Sequence, residues 1–529
     1  MEIHGTELMQ LFGLLTAVGA LLFLSPRAGI PYPILMVLGG LVLSFVPGVP
    51  DFELPPELVL VAFLPPLLYA AAFFTSLRDL RANVKPIGLL SIGLVAATTA
   101  GVAVVAHSVV DMPWPAAFVL GAIVSPTDPI AATSIARRLG VPRRIVTIVE
   151  GESLVNDATA LVFYRVAVVA AATGAFSIWE AGGRLVVNAA AGIGIGLGVG
   201  FVVRQVRKRM DDPPSEIAVA LLTGYIAYLP AEAAGVSAVL AAVTAGIYLG
   251  WYTPELTNAQ TRIQGFAFWT ILVFILNAAL FTLVGLQLPV VVEGLDPWST
   301  GELVGATAAV CAAVVVLRVA CLALFGYHRL LPGMRESRMR FPLRHAAVIS
   351  WAGMRGAVSL AAALAIPLET DAGAPFPERS LIIFLAFTVI MFTLVVQGLT
   401  LPVVIRALGV EDDGAEAREE AKARKRAAQA ALERLEELTG EDWVLEDTAE
   451  RLRGAYTFRV RRFGERFDEA ADSSNEDRSL AYQRLRRELL NAERDSVLEL
   501  RRSGVVSDDV MNRVLRDIAL EDVRLDFER

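Results

Sequence analysis

The chain has 529 residues, of which 55% are hydrophobic, and its mean hydropathy is +0.55. A composition this apolar excludes an ordinary soluble protein and indicates a chain that crosses a membrane several times. The formal net charge of −8 averages two unlike parts, because residues 1–408 are apolar with basic loops and residues 409–529 are densely charged with both signs. The sequence contains no nucleic-acid-binding motif. Its two cysteines and four histidines lack the spacing of a metal site, so we predict no cofactor and no nucleic-acid partner.

Thirteen apolar segments are each long enough to cross a bilayer as a helix, which takes about 17–25 residues. No basic residues precede the first segment and no small-residue cleavage site follows it, so we interpret it as a retained span rather than a signal peptide. The predicted spans are residues 7–24, 29–46, 56–75, 86–110, 114–136, 144–172, 184–204, 215–231, 235–252, 264–289, 302–326, 343–367 and 380–406.

Basic residues concentrate in alternate loops between these spans. They are Arg27; Arg78, Arg81 and Lys85; Arg137, Arg138, Arg143 and Arg144; Arg204, Arg207, Lys208 and Arg209; Arg262; and Arg329, Arg335, Arg338, Arg340 and Arg344. By the positive-inside rule, the loops that carry them face the cytoplasm. With thirteen spans, the N-terminus then lies outside and the C-terminus lies in the cytoplasm.

The charged region 409–529 has apolar residues at three-to-four spacing between its charges. That spacing is typical of amphipathic helices. We therefore predict a cytosolic α-helical C-terminal domain. A helical hairpin or small bundle and a regulatory domain both remain open, since no motif names a ligand for it.

Two predicted spans contain helix-breaking segments. Span five carries Pro126-Thr127-Asp128-Pro129, and each proline removes a backbone donor and obstructs the preceding turn; span twelve carries Gly353-Met354-Arg355-Gly356. Span five is the fifth member of the set formed by spans 1–6, and span twelve is the fifth member of the set formed by spans 8–13. The two sets are offset by seven spans, and because seven is an odd number they cross the membrane in opposite directions. This pattern is typical of inverted-repeat transporters, whose site lies where broken helices meet. Two unrelated kinks are the alternative.

Carboxylates near the middle of span six are the candidate ion site. Asp157 lies ~20 Å into the span, and Ser153 is one turn earlier on the same face. Together with the Thr127-Asp128 segment they offer hard oxygen ligands for a small cation. The alternatives are a structural arginine pair for Asp157, and a cap on freed backbone amides for Asp128.

A second pair on span six, Glu152 and Asn156, lies about 100° around the same helix. We predict that Arg355 in the broken span twelve is the counter-charge of Glu152, which would tie the two spans together. Asp157 then remains as one carboxylate for which a proton and a cation compete. If the site can move across the membrane only when a proton or a sodium ion occupies it, exchange is obligatory. Exchange of one proton for one sodium ion then moves no net charge.

The segments "SPTDPIA", "GESLVNDATALV", "FTLVGLQLP" and "GMRGAVSLA" resemble, in family order, the monovalent cation:proton antiporters of the Asn-Asp type, which include bacterial and animal sodium/proton exchangers. The resemblance spans the whole membrane part, residues ~7–408. It implies an all-α polytopic fold of about thirteen transmembrane helices, with a dimerisation subdomain and a core subdomain, and a homodimer.

Matched residue by residue, the resemblance implies that Asp157 carries the ion and the proton and that Asn156 is its partner. It implies Thr127, Asp128 and Ser153 as neighbouring ligands. It also implies Glu152 with Arg355 as a structural ion pair, and electroneutral exchange of Na⁺ for H⁺ in pH and sodium homeostasis.

One departure concerns span three, where many members of the family carry an acidic residue and this chain has Tyr69-Ala70. The departure leaves ion affinity and pH profile open. The C-terminal segment from Leu490 resembles the cytosolic end of a bacterial subgroup, which favours a bacterial inner membrane.

Three alternatives compete with sodium/proton exchange. A K⁺/H⁺ or Li⁺/H⁺ antiporter would keep the fold and change the ion. A monovalent cation channel would conduct without proton coupling. A membrane-embedded hydrolase would need a motif such as H-E-x-x-H or a paired-aspartate motif, and the sequence contains neither. We therefore predict a transporter and not an enzyme.

Overall fold

The computed structural model describes residues 16, 19–20, 23, 30–46, 59–173, 178–292, 295, 297–326, 342–370, 372–465 and 473–527. Its regular structure in this part of the chain is helical. It divides into two compact units, Met1–Asp412 and Asp413–Arg529. The sequence prediction placed this boundary at residues 408/409.

The described residues of the first unit contain eighteen α-helices. They are α1 (Tyr32–Leu43), α2 (Leu64–Phe73), α3 (Leu77–Ala82), α4 (Val84–Gly88), α5 (Val95–Val110), α6 (Trp114–Val124), α7 (Pro129–Arg138), α8 (Arg143–Thr173), α9 (Ile178–Arg207), α10 (Pro213–Ala233), α11 (Ala238–Leu256), α12 (Ala259–Leu286), α13 (Leu288–Val292), α14 (Thr300–Gly326), α15 (Leu343–Trp351), α16 (Ala357–Leu364), α17 (Arg379–Phe392) and α18 (Gly398–Ala407). Three π-helical turns, Val59–Phe63, Leu89–Leu94 and Thr393–Gln397, precede α2, α5 and α18.

Seven helical stretches in the described ranges are long and apolar enough to cross a membrane. They are Val84–Val110, Trp114–Arg138, Arg143–Thr173, Val186–Arg207, Ala259–Leu286, Thr300–Ala323 and Arg379–Ala407. Two shorter apolar helices, Tyr32–Leu43 and Val61–Phe73, overlap predicted spans two and three. Most of predicted span one and the basic loop 327–341 lie outside the described residues. The polytopic helical fold is confirmed, whereas the count of thirteen and the inverted repeat stay predictions.

Both predicted helix breaks are present. Span five is divided into α6 and α7, and the Asp128 side chain caps α7 by accepting a hydrogen bond from the backbone of Ile130 at 2.9 Å. Span twelve is divided into α15 and α16, with an irregular segment from Ala352 to Gly356. The prolines of the first break cannot donate to the preceding turn, so the backbone there must find other partners.

Helices α1 and α12 pack unusually closely. A Cβ atom at Gly40 of α1 would overlap the backbone carbonyl of Thr282, and one at Gly285 of α12 would overlap that of Val37. Reciprocal glycines allow the two backbones to approach, as small residues do in membrane helix pairs. The pair therefore forms a stiff wall in the membrane unit.

The second unit contains α19 (Ala415–Leu438), α20 (Glu446–Glu465), α21 (Ser473–Arg502) and α22 (Asp508–Phe527). An ion pair between Arg453 of α20 and Glu436 of α19, at 2.8 Å, joins the first two helices. Arg486 of α21 pairs with Glu521 of α22. Each pair of helices is thus an antiparallel hairpin with an amphipathic surface, as the sequence pattern predicts.

Candidate functional site

The two helix breaks lie directly against each other. The backbone amide of Asp128 donates to the carbonyl of Met354 at 2.7 Å, so an orphan donor of the first break satisfies an orphan acceptor of the second. The Asp128 side chain lies against Gly356, where an added Cβ would overlap the carboxylate. Irregular backbone at membrane depth is tolerated where protein or a polar cavity surrounds it, and both surround this crossing.

A cavity of about 480 Å³ opens beside this crossing. Thr127 and Asp128 line it from the first break, Ser153 and Asp157 from α8, and Gly356 from the second break. The cavity extends to Arg137 of α7 and Glu150 of α8, which form an ion pair at 2.7 Å that is partly exposed to solvent. The predicted ion ligands Thr127, Asp128, Ser153 and Asp157 are therefore brought together at one wall.

Helix α8 presents two chemically different faces. Asp157 is the fifteenth of its 31 residues, and it faces the cavity together with Ser153. Glu152 and Asn156, which are 1% and 0% exposed, point into the protein instead. The i, i+4 spacing of each pair predicts this division, since it places the members of a pair on one face.

Asp157 differs from Glu152, the buried carboxylate on the other face of α8, in having no counter-charge. Within the described part of the chain, no cationic side chain pairs with it, and the like-charged Asp128 lines the same cavity. A buried carboxylate without compensation is costly, and binding a proton or a cation removes that cost. The arginine-pair alternative for Asp157 is therefore wrong in this structure, whereas Asp128 does cap a helix.

The predicted pairing of Glu152 with Arg355 is wrong in its partner. Glu152 binds Arg318 of α14, whose two terminal nitrogens donate to the two carboxylate oxygens at 2.6 and 2.9 Å. Arg318 also donates to the carbonyls of Ile349 and Ser350, which are orphan acceptors at the C-terminal end of α15. A planar guanidinium can serve a carboxylate and a helix end at once, so Arg318 joins α8, α14 and α15.

Arg355 has a different role, because its side chain binds backbone. It donates to the carbonyl of Val124 at 3.0 Å, at the end of α6, and to the carbonyl of Gly353. Its own amide donates to the hydroxyl of Thr393 at 3.0 Å. Arg355 thus satisfies carbonyls freed by both helix breaks and is 1% exposed.

Asn156 supports the first break rather than facing the cavity. Its side-chain amide donates to the Thr127 hydroxyl at 2.9 Å, and that hydroxyl donates to Glu152 at 3.1 Å. The chain Asn156–Thr127–Glu152–Arg318 therefore fixes the backbone on which Asp128 sits. The Thr127 hydroxyl is occupied by these bonds, and whether Thr127 also binds an ion stays a prediction.

The sequence interpretation missed Arg318 and two residues of the cavity wall, Tyr32 and Asn277. Arg318 carried a usable signal, since it is the one charged residue in the apolar segment 303–326. Span three contributes Ala70 to the cavity, while Tyr69 is buried against Phe73 and Trp269. This wall therefore offers no carboxylate at the position where the resemblance implied one.

Replacing Gly356 with alanine tests the contact between the breaks. The new methyl group would overlap Asp128, which cannot move freely because its carboxylate caps α7 and its amide binds Met354. We expect Gly356→Ala to lower thermal stability by about 1–3 kcal/mol, the usual cost of overpacking, and to reduce transport strongly. Gly198→Ala is the control, because nothing lies within 4 Å of a Cβ there. Equal melting temperatures and transport rates for the two variants would contradict the tight contact.

A family model described as the transmembrane sodium/hydrogen exchanger matches residues 13–407. An uncharacterised Na⁺/H⁺ exchanger of Mycobacterium tuberculosis is 38% identical over 525 residues, which cover 98% of this chain and 96% of that protein. A sodium, potassium, lithium and rubidium/H⁺ antiporter of Bacillus pumilus is 36% identical over 385 residues, covering 70% of this chain and 57% of that protein.

The fold is similar to the solved structure of a sodium proton antiporter from Methanocaldococcus jannaschii. The TM-score is 0.62 at 18% identity, and the match covers 76% of this chain and 98% of that one. The contact between the two helix breaks, the cavity beside them and the family match over residues 13–407 all support the same assignment. The chain belongs to the sodium/hydrogen exchanger family of membrane transporters.

Proposed function

We propose that this protein exchanges Na⁺ for H⁺ across a bacterial plasma membrane, with one proton exchanged per sodium ion. The observation that carries the proposal is the isolation of Asp157. It is a carboxylate on the cavity wall without a counter-charge in the described residues, whereas Glu152 is held by Arg318. One exchangeable carboxylate binds either a proton or a monovalent cation, so the two ions compete.

The shape of the membrane unit supports access from one side at a time. From Asp157 the cavity leads to Arg137 and Glu150, on the side that the basic loops predict to be cytoplasmic. Leu154 and Ala158, on either side of Asp157 in α8, pack in an apolar cluster with Ala227 and Tyr228 of α10. Apart from Asp128 and Asp157, the charged residues among the described residues that line the cavity are Arg137 and Glu150, so the structure favours access to Asp157 from that side.

The remaining parts of the proposal come from the family resemblance and the charge pattern. They are a homodimer, a multi-pass location in the bacterial inner membrane, an external N-terminus and a cytoplasmic C-terminus. No cofactor is required, because the transported ions are the only chemistry at the site. Potassium or lithium as the cation is the second candidate, favoured by the similarity to the sodium, potassium, lithium and rubidium/H⁺ antiporter of Bacillus pumilus.

Cation-driven proton flux in proteoliposomes, measured with Na⁺, K⁺ and Li⁺ in turn, tests the proposal. We expect flux that requires a cation gradient, and an apparent cation affinity that weakens as the pH falls, because protons then occupy Asp157. The ion with the highest apparent affinity identifies the substrate. Cation flux without proton movement would indicate a channel and contradict the exchange mechanism.

We further expect the cycle to be electroneutral. Glu152 is paired and Asp128 caps α7, so a single carboxylate changes its proton count per turnover. An imposed membrane potential then does no work on the cycle, whereas one unbalanced charge would respond with ~2.3 kcal/mol per 100 mV. Electroneutrality can be tested by recording currents on a solid-supported membrane and by measuring the transport rate under a membrane potential imposed with potassium and valinomycin. A steady current, or a rate that follows the potential, would mean that a second group such as Asp128 titrates.

A further inference from the structure

Asn277 is an isolated polar residue on a wall of the cavity. The cavity-lining face of α12 consists of Trp269, Thr270, Val273, Phe274, Asn277 and Leu280. The Thr270 hydroxyl is already bonded to the backbone carbonyl of Phe266 at 2.8 Å. Asn277 is 1% exposed, and asparagine is an unfavourable residue inside an apolar helix. Its side chain therefore needs a polar partner.

The Asn277 side chain has an oxygen without a partner. Its Oδ1 is buried with no hydrogen bond among the described residues, and Tyr32 of α1 lines the same cavity. A buried acceptor left unpaired is destabilising, and a bound cation would remove that penalty.

The position of this oxygen is set by the stiff wall. Helices α1 and α12 are held together at Gly40 and Gly285, and the ring of Tyr32 packs on Phe274 with 4.9 Å between ring centroids. Tyr32 and Asp128 line the same cavity. The Asn277 carboxamide is thus held in place in the same cavity as the acidic site. Ala70 and Ala71 on the neighbouring wall supply no side-chain oxygen.

We propose that the Asn277 Oδ1 is an additional ligand for the transported monovalent cation, and that it helps to set which cation is preferred. Amide carbonyl oxygens are hard neutral ligands, and selectivity among such ions depends on the number and field strength of the oxygens offered. A neutral ligand adds coordination without changing the charge of the loaded site. The inference rests on the proposed cation/proton exchange and adds a residue that contributes no proton.

The test is the dependence of proton flux on cation concentration in proteoliposomes, at fixed pH, for Na⁺, K⁺ and Li⁺. Asn277→Leu removes the oxygen at similar volume. Asn277→Asp replaces it with a carboxylate. Thr270→Val is the matched control, since it lies two turns earlier on the same cavity face and its hydroxyl is already satisfied. Asn277→Gln keeps a carboxamide and checks that the position tolerates substitution.

We expect Asn277→Leu to raise the apparent KM for the preferred cation about tenfold, equivalent to ~1.4 kcal/mol, with a maximal rate within about threefold of wild type. Asn277→Asp should lower that KM at alkaline pH, and Thr270→Val should leave it unchanged. Opposite shifts in the two Asn277 variants identify a ligand, because a packing defect would not reverse its sign. If neither variant shifts the KM, the oxygen binds only water and the inference is wrong.

The proposed exchange and the role of Asn277 can fail separately. Wild-type protein without cation-driven proton flux would overturn the exchange itself. Wild-type exchange with an unchanged KM in both Asn277 variants would overturn the ligand role alone. Should Asn277→Leu not yield folded protein, Asn277→Asp and Asn277→Gln still give the comparison between a charged and a neutral oxygen.

Discussion

Asp157→Asn is expected to abolish exchange and to leave the protein folded. Asparagine has nearly the same shape as aspartate, but it cannot release a proton or balance the charge of a cation. Because Asp157 has no counter-charge in the described part of the chain, removing its charge strands no partner. The melting temperature should therefore stay at or above that of wild type.

The same variant should lose the thermal stabilisation that the cation provides. A ligand that binds only the folded state at a hundred times its Kd stabilises by about 2.7 kcal/mol, and this increment should disappear without Asp157. Asp111→Asn is the matched control, since Asp111 is exposed and its positive φ of 49° suits asparagine. Wild-type exchange in Asp157→Asn would exclude this residue as the carrier.

Neutralising one member of the Glu152–Arg318 pair should produce the largest loss of stability. Both side chains are 2% exposed, and removal of one partner leaves an uncompensated buried charge. Such losses are about 3–5 kcal/mol. Glu152→Gln leaves the guanidinium without a counter-charge, whereas Arg318→Gln also frees the carbonyls of α15, so we expect the arginine variant to melt at the lower temperature.

The double variant Glu152→Gln with Arg318→Gln separates this pair from independent effects. It strands no lone charge, so its loss should be smaller than the two single losses added together. Arg165→Gln is the control, because the Arg165–Glu232 pair is about half exposed and pairs of that kind contribute about 0–1 kcal/mol. Strictly additive losses in a thermal melt would show that Glu152 and Arg318 do not interact.

The membrane fold and the cavity-facing carboxylate were predictable because both rest on local rules. Prolines at positions 126 and 129 must interrupt a helix wherever it lies, and the i, i+4 spacing of Ser153 and Asp157 puts both on one face. The partner of Glu152 was not predictable in this way. Two arginines, Arg318 and Arg355, were near enough in the fold to serve, and helical periodicity does not rank residues 166 or more positions apart in the chain.

Asn156 shows the same limit in another form. Its place beside Asp157 in the sequence suggested a shared role at the ion, yet adjacent helical residues point about 100° apart. The structure turns Asn156 toward Thr127, where it supports the backbone of the break. The motif therefore identified the right residues, and the direction of each side chain gave them different tasks.

The sequence by itself determined that this protein is a polytopic helical membrane protein with two interrupted helices and a carboxylate near the middle of an apolar helix. Hydrophobic length, proline chemistry and the cost of burying charge are local, so the order of residues is sufficient to establish them. Only the tertiary structure decided which charge compensates which and that Arg355 binds the carbonyls of Val124 and Gly353. It also decided that Asn277 lines the cavity and that its oxygen is buried without a hydrogen-bond partner among the described residues. Those contacts depend on the angle at which distant helices cross and on how each helix is rotated about its axis. Both are set by the packing of two helix surfaces against each other, so the sequence of one segment does not determine them.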